Sequence, residues 1–272
     1  MSRISLVTLV KNRQVALQNM IKGVLIGSWI PDEMVIVHMS EKPYSLEDGG
    51  LKIRQVVLDI PGLPLAAARN FAVQNARFEN IVFLDADCIP AKDLLSKYSE
   101  AFSRQALLSG RTRYLPIDAM QCGEIFAHLE DLSHPDPVRS EKGQYPYEQF
   151  WSLNFGCSKS IYKKIGGYDE GFTGYGAEDT DFAFLARKAQ VPLVTIDAFA
   201  FHQYHPSYDP PINHLKDIVS NALRFKQKWQ QWPMSGWLAK FQSLGLIKWT
   251  AHEIELLRMP SSEEINLALK TQ

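Results

Sequence analysis

Along the chain, short continuous apolar runs alternate with longer stretches in which apolar residues return every three or four positions. Ile4 to Val10 is apolar and largely β-branched; after the polar Lys11 to Gln14, the residues Val15, Leu17, Met20, Ile21, Val24 and Leu25 keep helical spacing. This opening predicts strand, loop, helix. Further apolar runs at Met34 to Val37, Ile53 to Leu58 and Ile81 to Leu84, with a helical pattern through Ala66 to Ala76, continue the alternation. Strands that read as unbroken apolar runs between helices predict an α/β protein whose mostly parallel sheet is covered on both faces. In such sheets ligands collect at the carboxyl ends of the strands.

Beyond Pro90, Leu94, Leu95, Tyr98, Ala101 and Phe102 predict an amphipathic helix, and Leu107 to Gly110 a strand. Pro116 to Tyr147 is polar, contains four prolines and has weak periodicity except at Ile125 to Leu132. It reads as a long functional loop enclosing one helix. Phe150 to Cys157 predicts a strand, Asp179 to Gln190 a helix, and Val191 to Phe201 another strand. From Asn213 the pattern becomes helix only, through Leu215, Ile218, Val219, Ala222, Leu223 and Lys226, and this tail holds four of the six tryptophans. We therefore divide the chain into an α/β domain over residues 1–210 and a helical extension over residues 211–272. The plain reading of the tail is a helical layer packed on the main domain. The sharper ones are a lid, a partner surface or a peripheral membrane contact.

Composition narrows the classes. The 272 residues are 46% hydrophobic and 22% charged, which excludes a disordered chain, and 29 Lys plus Arg against 30 Asp plus Glu give a net charge of −1. Such a balance speaks against a protein that holds nucleic acid through its phosphates. No stretch approaches the roughly 20 apolar residues of a membrane span, and Lys11, Arg13 and Lys22 break any signal-peptide pattern near the start, so a cytoplasmic location, with membrane association only at the periphery, is expected. Cys88, Cys122 and Cys157 are widely spaced without a CxxC pair, so buried thiols are expected rather than disulfides or a zinc knuckle.

Three places concentrate chemistry. Asp85-Ala86-Asp87 follows an apolar strand directly, and two carboxylates leaving a strand end suit Mg²⁺ or Mn²⁺ with coordination positions left for phosphates. Gly174-Tyr175-Gly176-Ala177-Glu178-Asp179-Thr180-Asp181 opens a helix with three acids in four residues. Helix capping explains one or two of them. The glycines crowded before them would let the backbone approach a ligand closely, and a partly enclosed carboxylate there could serve as general base. His202-Gln203-Tyr204-His205 ends the last strand; two imidazoles beside such acids would shift metal preference from Mg²⁺ toward Mn²⁺, with a ligand role for at least one of His202 and His205.

Taken in order, these blocks resemble an inverting nucleotide-sugar glycosyltransferase with the GT-A fold: family two, with a second half similar to the β-1,4-galactosyltransferase and chondroitin-polymerase type. The resemblance rests on Val10 to Gln14, Ala67 to Asn70, Phe83 to Pro90, Asn154 to Cys157, Ile165 to Asp169, Gly174 to Phe182 and Phe201 to Gln203, covering about three quarters of the chain. It implies that Asp87 binds Mn²⁺ or Mg²⁺ and that Asp85 faces the donor ribose or the metal shell. It further implies that His202 is the later metal ligand, Asp179 the base and Glu178 the residue that positions the acceptor. Thr8, Lys11, Asn12, Arg13 and Arg69 fall where the family grips the nucleotide. The expected partners are a nucleotide-sugar donor, a UDP-sugar ahead of a GDP-sugar, and a saccharide or lipid-linked acceptor. One departure is that Val35-Ile36-Val37 is followed by His38-Met39-Ser40, where many members place an acidic pair that reads the nucleobase; Asp59 is a candidate substitute. Two competing readings are a nucleotidyltransferase, disfavoured because residues 4–14 contain no glycine, and a catalytically silent sugar- or partner-binding module in which the acids only cap and solvate.

Overall fold

The computed structural model describes residues 3–139 and 141–270. A nine-stranded sheet forms the body. It is built from β1 (Ile4–Val10), β2 (Glu33–Met39), β3 (Ile53–Leu58), β4 (Asn80–Leu84), β5 (Cys88–Pro90), β6 (Leu107–Tyr114), β7 (His134–Pro135), β8 (Asn154–Ser158) and β9 (Leu193–His202). The order is β3-β2-β1-β4-β8-β6-β9-β5, with β7 beside β6. Helices α1 (Gln14–Leu25), α2 (Leu65–Asn75), α3 (Leu94–Ala101), the short α4 (Leu129–Leu132), α5 (Lys159–Ile165) and α6 (Glu178–Lys188) connect the strands.

Successive strand residues face opposite sides, so each apolar run supplies two cores at once. Ile4, Leu6, Val10, Val82 and Leu84 pack with Leu17, Met20 and Ile21 of α1 and Leu94, Leu95 and Tyr98 of α3. Val7, Leu9, Ile81 and Phe83 pack on the other face with α2, α5 and α6 through Ala68, Ala72, Ile161 and Phe182. This double burial is why the strands lack polar alternation.

Among the named strands, parallel pairs are β1 with β2 and β4, β2 with β3, and β6 with β9, while β8 runs antiparallel to both β4 and β6, and β5 antiparallel to β9; an isolated parallel bridge joins Pro64 to Gly174. The expected strand over Phe150 to Cys157 is shorter, Asn154–Ser158, because Tyr147–Gln149 forms a tight turn before it. Helix α5 was not anticipated. Its signals are present in the chain: Ser158 caps it by accepting from the Ile161 N–H, and Gly166 ends it with φ +103°.

The tail departs from the helix-only expectation. After β10 (Ser207–Tyr208), it contains α7 (Leu215–Trp229), α8 (Ser235–Ser243), a hairpin of β11 (Ile247–Trp249) and β12 (Ile254–Leu256), then α9 (Ser262–Ala268) and β13 (Leu269–Lys270), which pairs with β10. Ile247-Lys248-Trp249 alternates with period two, and the Thr250 hydroxyl accepts from the N–H groups of His252 and Glu253 in the connecting turn, which favours a hairpin over a further helical turn. The tail has its own small core around Leu215, Ile218, Leu238 and Phe241. It also shares a second one with the main body, in which Phe225 of α7 meets Phe172, Ala177 and Phe184. No described helix is long and apolar enough to cross a membrane.

Candidate functional site

Topology brings the first and third chemical blocks together. After β4 the chain turns at Asp85-Ala86-Asp87, closed by a Cys88 N–H to Asp85 carbonyl bond of 2.9 Å, and β5 then crosses to pair with β9 so that Cys88 lies opposite His202. The Gln203 N–H donates to the Asp87 carbonyl at 2.7 Å. In consequence Asp87 Oδ1 is 3.6 Å from His202 Nε2, and Asp87 Oδ2 is 3.6 Å from His205 Nε2. One ligand atom from each of the three residues lies within 4.8 Å of the others. The Gln203 side chain ties this corner to α1, donating to the Ala16 carbonyl at 2.9 Å and accepting from Asn19 at 2.8 Å. Burial holds His202 below the ordinary imidazole pKa, with His205 adding to that effect and Asp87 opposing it. A neutral imidazole is the form that ligates a cation. Two imidazoles and a carboxylate make a donor set suited to Mn²⁺ and other transition ions more than to Mg²⁺.

The second block stands at the start of α6. Glu178 Oε1 accepts from the buried Arg69 of α2 at 3.2 Å. Asp181, fully buried, accepts from Lys228 Nζ and from Trp229 Nε1 at 2.7 Å, both on α7. Asp179 has no cation partner among the described residues; its Oδ1 accepts only from Thr180, through the backbone N–H at 2.7 Å and the hydroxyl at 3.5 Å. Burial, reinforced by the neighbouring Glu178, pushes the Asp179 carboxyl up to about 7 against the pull of Arg69. Asp85 is raised to about 7 as well, by burial and by Asp87, Glu178 and Asp179, again with Arg69 opposing. Arg69 itself is held above its ordinary value: burial would lower it, but Tyr168, Glu178, Asp85 and Asp179 outweigh that. One guanidinium thus lies within the field of both acidic turns.

A cleft of about 560 Å³ runs from Asp87 to the loop after β1 and to Tyr44, lined by Asn12, Arg13, Asn19, Tyr44, Met120 and Gln203 among others. Of the residues expected to grip a nucleotide, Asn12 and Arg13 are on its wall. Lys11 extends to the Gly62 carbonyl, and Arg69 is engaged with Glu178. Thr8 is buried inside β1 with its hydroxyl unpaired, away from the cleft wall. Met120 belongs to the long loop after β6, which therefore does contribute to the cleft.

Sequence reasoning missed Glu41. It follows His38-Met39-Ser40 directly: Glu41 accepts from the Asn12 N–H at 2.7 Å and from the Tyr44 hydroxyl at 2.6 Å, and approaches His38 Nδ1 at 3.4 Å. Burial and this carboxylate raise the Tyr44 hydroxyl to about 12. The missed signal was the register of β2, which extends through Met39 and so moves the strand end past the expected position.

The architecture is that of a GT-A fold. Residues 5–118 match the model of glycosyl transferase family 2, and residues 137–206 match that of the N-terminal domain of galactosyltransferase. The first part of the chain is thus similar to family 2 glycosyltransferases and the second part to galactosyltransferases. It is 22% identical over 202 residues to validoxylamine A glucosyltransferase of Streptomyces hygroscopicus subsp. jinggangensis, a match that covers 65% of this chain and 48% of that protein. The chain thus spans about half the length of the curated relatives it matches. Among solved structures it resembles S. aureus TarS 1-349 (TM-score 0.54, 13% identity, 82% of this chain and 65% of that one). It also resembles GalNAc-T7 solved with UDP, GalNAc and Mn²⁺ (TM-score 0.57, 13% identity, 75% of this chain and 44% of that one). At these identities the structures speak to the fold.

Proposed function

We propose that the protein is a metal-dependent inverting glycosyltransferase that moves a hexose or N-acetylhexosamine from a nucleoside-diphosphate sugar to a hydroxyl of a saccharide or lipid-linked acceptor. The observation that carries this reading is the division of labour among the acids of the α6 turn. Glu178 and Asp181 are neutralised by Arg69 and Lys228, which leaves Asp179 as the one acid there without a cation. Its raised pKa sets it near neutrality, where a carboxylate is an effective general base.

The donor nucleotide fits the cleft between Tyr44 and Asp87, with Asn12 and Arg13 on its wall and Glu41 behind them. Asp87, His202 and His205 would hold the cation, Mn²⁺ in preference to Mg²⁺, and Asp85 the donor ribose or the outer metal shell. When bound, the cation would neutralise negative charge on the departing diphosphate. Asp179 takes the proton from the acceptor hydroxyl as its oxygen attacks the anomeric carbon; the bond from that carbon to the diphosphate oxygen breaks, and the sugar inverts. Glu178, fixed by Arg69, faces the acceptor from beside the base. A UDP-sugar is the favoured donor, in keeping with the UDP of the GalNAc-T7 structure and the UDP-GlcNAc of a TarS complex, with a GDP-sugar as the alternative.

Replacing Asp179 with Asn tests this. Turnover should fall by about 10²–10⁴-fold, the usual contribution of a general base, while Mn²⁺-dependent nucleotide binding stays unchanged. A silent binding module would show no transfer before or after the change. A thermal-shift screen of UDP, GDP, CDP and TDP, with and without Mn²⁺, names the base: only the donor's diphosphate should stabilise the fold in a metal-dependent way.

A further inference from the structure

Helix α7 reaches the acidic turn through one buried side chain. Asn221, 2% exposed, directs its amide nitrogen at the carbonyls of Thr173 (2.9 Å), Tyr175 (3.3 Å) and Gly176 (2.9 Å). These three carbonyls belong to the segment immediately before Glu178 and Asp179. An amide nitrogen has two hydrogens, so three acceptors share them, and that shared arrangement fixes the direction of all three peptide planes.

Gly174 and Gly176 allow this shape locally, but Ala177 does not. Gly174, Gly176 and Ala177 have φ of +71°, +99° and +72°, and for alanine the left-handed region is unfavourable, so the surroundings must impose it. Much of those surroundings comes from the tail. A Cβ on Gly174 would lie 2.2 Å from Asp217 Oδ2 of α7, and one on Gly176 would lie 2.9 Å from Met234 Sδ. Lys228 and Trp229 of the same helix secure Asp181 at the far side of the turn. The turn that presents Asp179 is thus shaped by α7 and Met234 on one side and by Pro64, which bridges Gly174, and Arg69 on the other; α7 lies outside both segments matched by family models.

We propose that Asn221 is a positioning residue for the reaction: by gathering the three carbonyls it aims the Asp179 carboxylate at the acceptor hydroxyl. This rests on the reading of Asp179 as the base. A displacement of about 1 Å at such a group can cost about 10²-fold in rate without loss of substrate binding.

The test uses the full chain with Asn221→Ala and Asn221→Ser, and Ala222→Gly as a control that weakens the same helix without touching the turn. For each, kcat and both KM values are measured, with Tm and the affinity for UDP plus Mn²⁺ by calorimetry. N221A should lower kcat by roughly 10- to 100-fold with UDP affinity within about twofold of the parent. N221S, which keeps one donor, should fall between, and A222G should lower Tm while holding kcat within about twofold. If N221A does not fold, N221S is judged by the same criterion. Two results would overturn the proposal: kcat of the folded Asn221 variant within twofold of the parent, or an equal loss in A222G, which would reduce Asn221 to a stabilising contact. Transfer retained in Asp179→Asn would instead sink the base assignment, and the Asn221 proposal with it. An inactive D179N beside a fully active N221A would refute Asn221 alone.

Discussion

The two acidic turns, Asp85-Ala86-Asp87 after β4 and Glu178 to Asp181 at the start of α6, are similar as strings of residues but opposite as electrostatic objects. Among the described residues no lysine or arginine forms an ion pair with Asp85 or Asp87; the partners of Asp87 are two histidines. At the α6 turn, by contrast, the fold delivers a buried arginine to Glu178 and a lysine with an indole N–H to Asp181. The first turn therefore has the field of Arg69 but no cation in contact with it, whereas the second is balanced internally except for a single carboxylate. Function follows from where the protein withholds its own positive charge. On the proposed reading, the acid left open beside imidazoles serves as a metal ligand, and the acid left over inside a neutralised cluster serves as the base.

The largest effect that would break this contrast is expected at the first turn. Asp87→Asn removes the one carboxylate of the histidine cluster, and metal-dependent UDP binding should weaken by at least about 10²-fold, with kcat/KM falling by about 10³-fold or more because both binding and leaving-group stabilisation are lost. Calorimetry of UDP with and without Mn²⁺ checks it. Unchanged affinity would mean that the two turns do not differ in the way described. Asp179→Asn should leave the same titration intact, so the pair of variants separates the two centres directly.

At the second turn the effect should be on stability. Lys228→Met leaves the Asp181 carboxylate, which is 0% exposed, with only the Trp229 N–H. Asp181 is already raised by burial, so part of the cost is relieved by protonation. We expect a loss of about 2–3 kcal/mol, or roughly 4–12 °C in Tm for a chain of this size, with UDP affinity unchanged. A drop in metal-dependent binding as large as that of D87N would erase the distinction.

How much of this was legible in the chain differs between the turns for the same reason. The order of strands and helices as far as β4 could be read because strands such as β1 and β4, buried on two faces, leave continuous apolar runs; Ile53–Leu58 also agrees with its expected bounds although it is only partly buried. The meeting of Asp87 with His202 could be expected from strand ends, yet the link that makes it, β5 crossing to β9, is three residues long and too short for any periodic signal. The α6 turn could be recognised as acidic, but not which acid is left over. That depends on Arg69, 109 positions before Glu178, and on Lys228 in a tail whose pattern suggested packing, a lid, a partner surface or a membrane contact but not a partner for an acid. The β11–β12 hairpin escaped because two three-residue strands are shorter than the window in which alternation can be told from chance.

The smallest effect, and the one that sharpens the comparison, is in pH. Asp179 is raised to about 7 by burial and by Glu178, so its folded pKa lies above that of an unfolded aspartate. A proton is then bound more tightly in the folded state. The stability this group contributes is full below pH about 4, declines as pH rises, and is gone above about 7. Activity runs the other way, because the base must be ionised: kcat should rise with pH along a limb near 7, at half its plateau there and about one tenth of it a unit lower. Bound Mn²⁺ adds positive charge nearby and moves the limb downward, never upward. Two curves check the assignment, kcat against pH in the parent and the Tm difference between the parent and Asp179→Asn. The variant should gain stability relative to the parent as pH passes from 5 to 8. A limb that shifts with His202→Asn as much as with changes around Asp179 would assign the titration to the metal corner and collapse the division between the two turns.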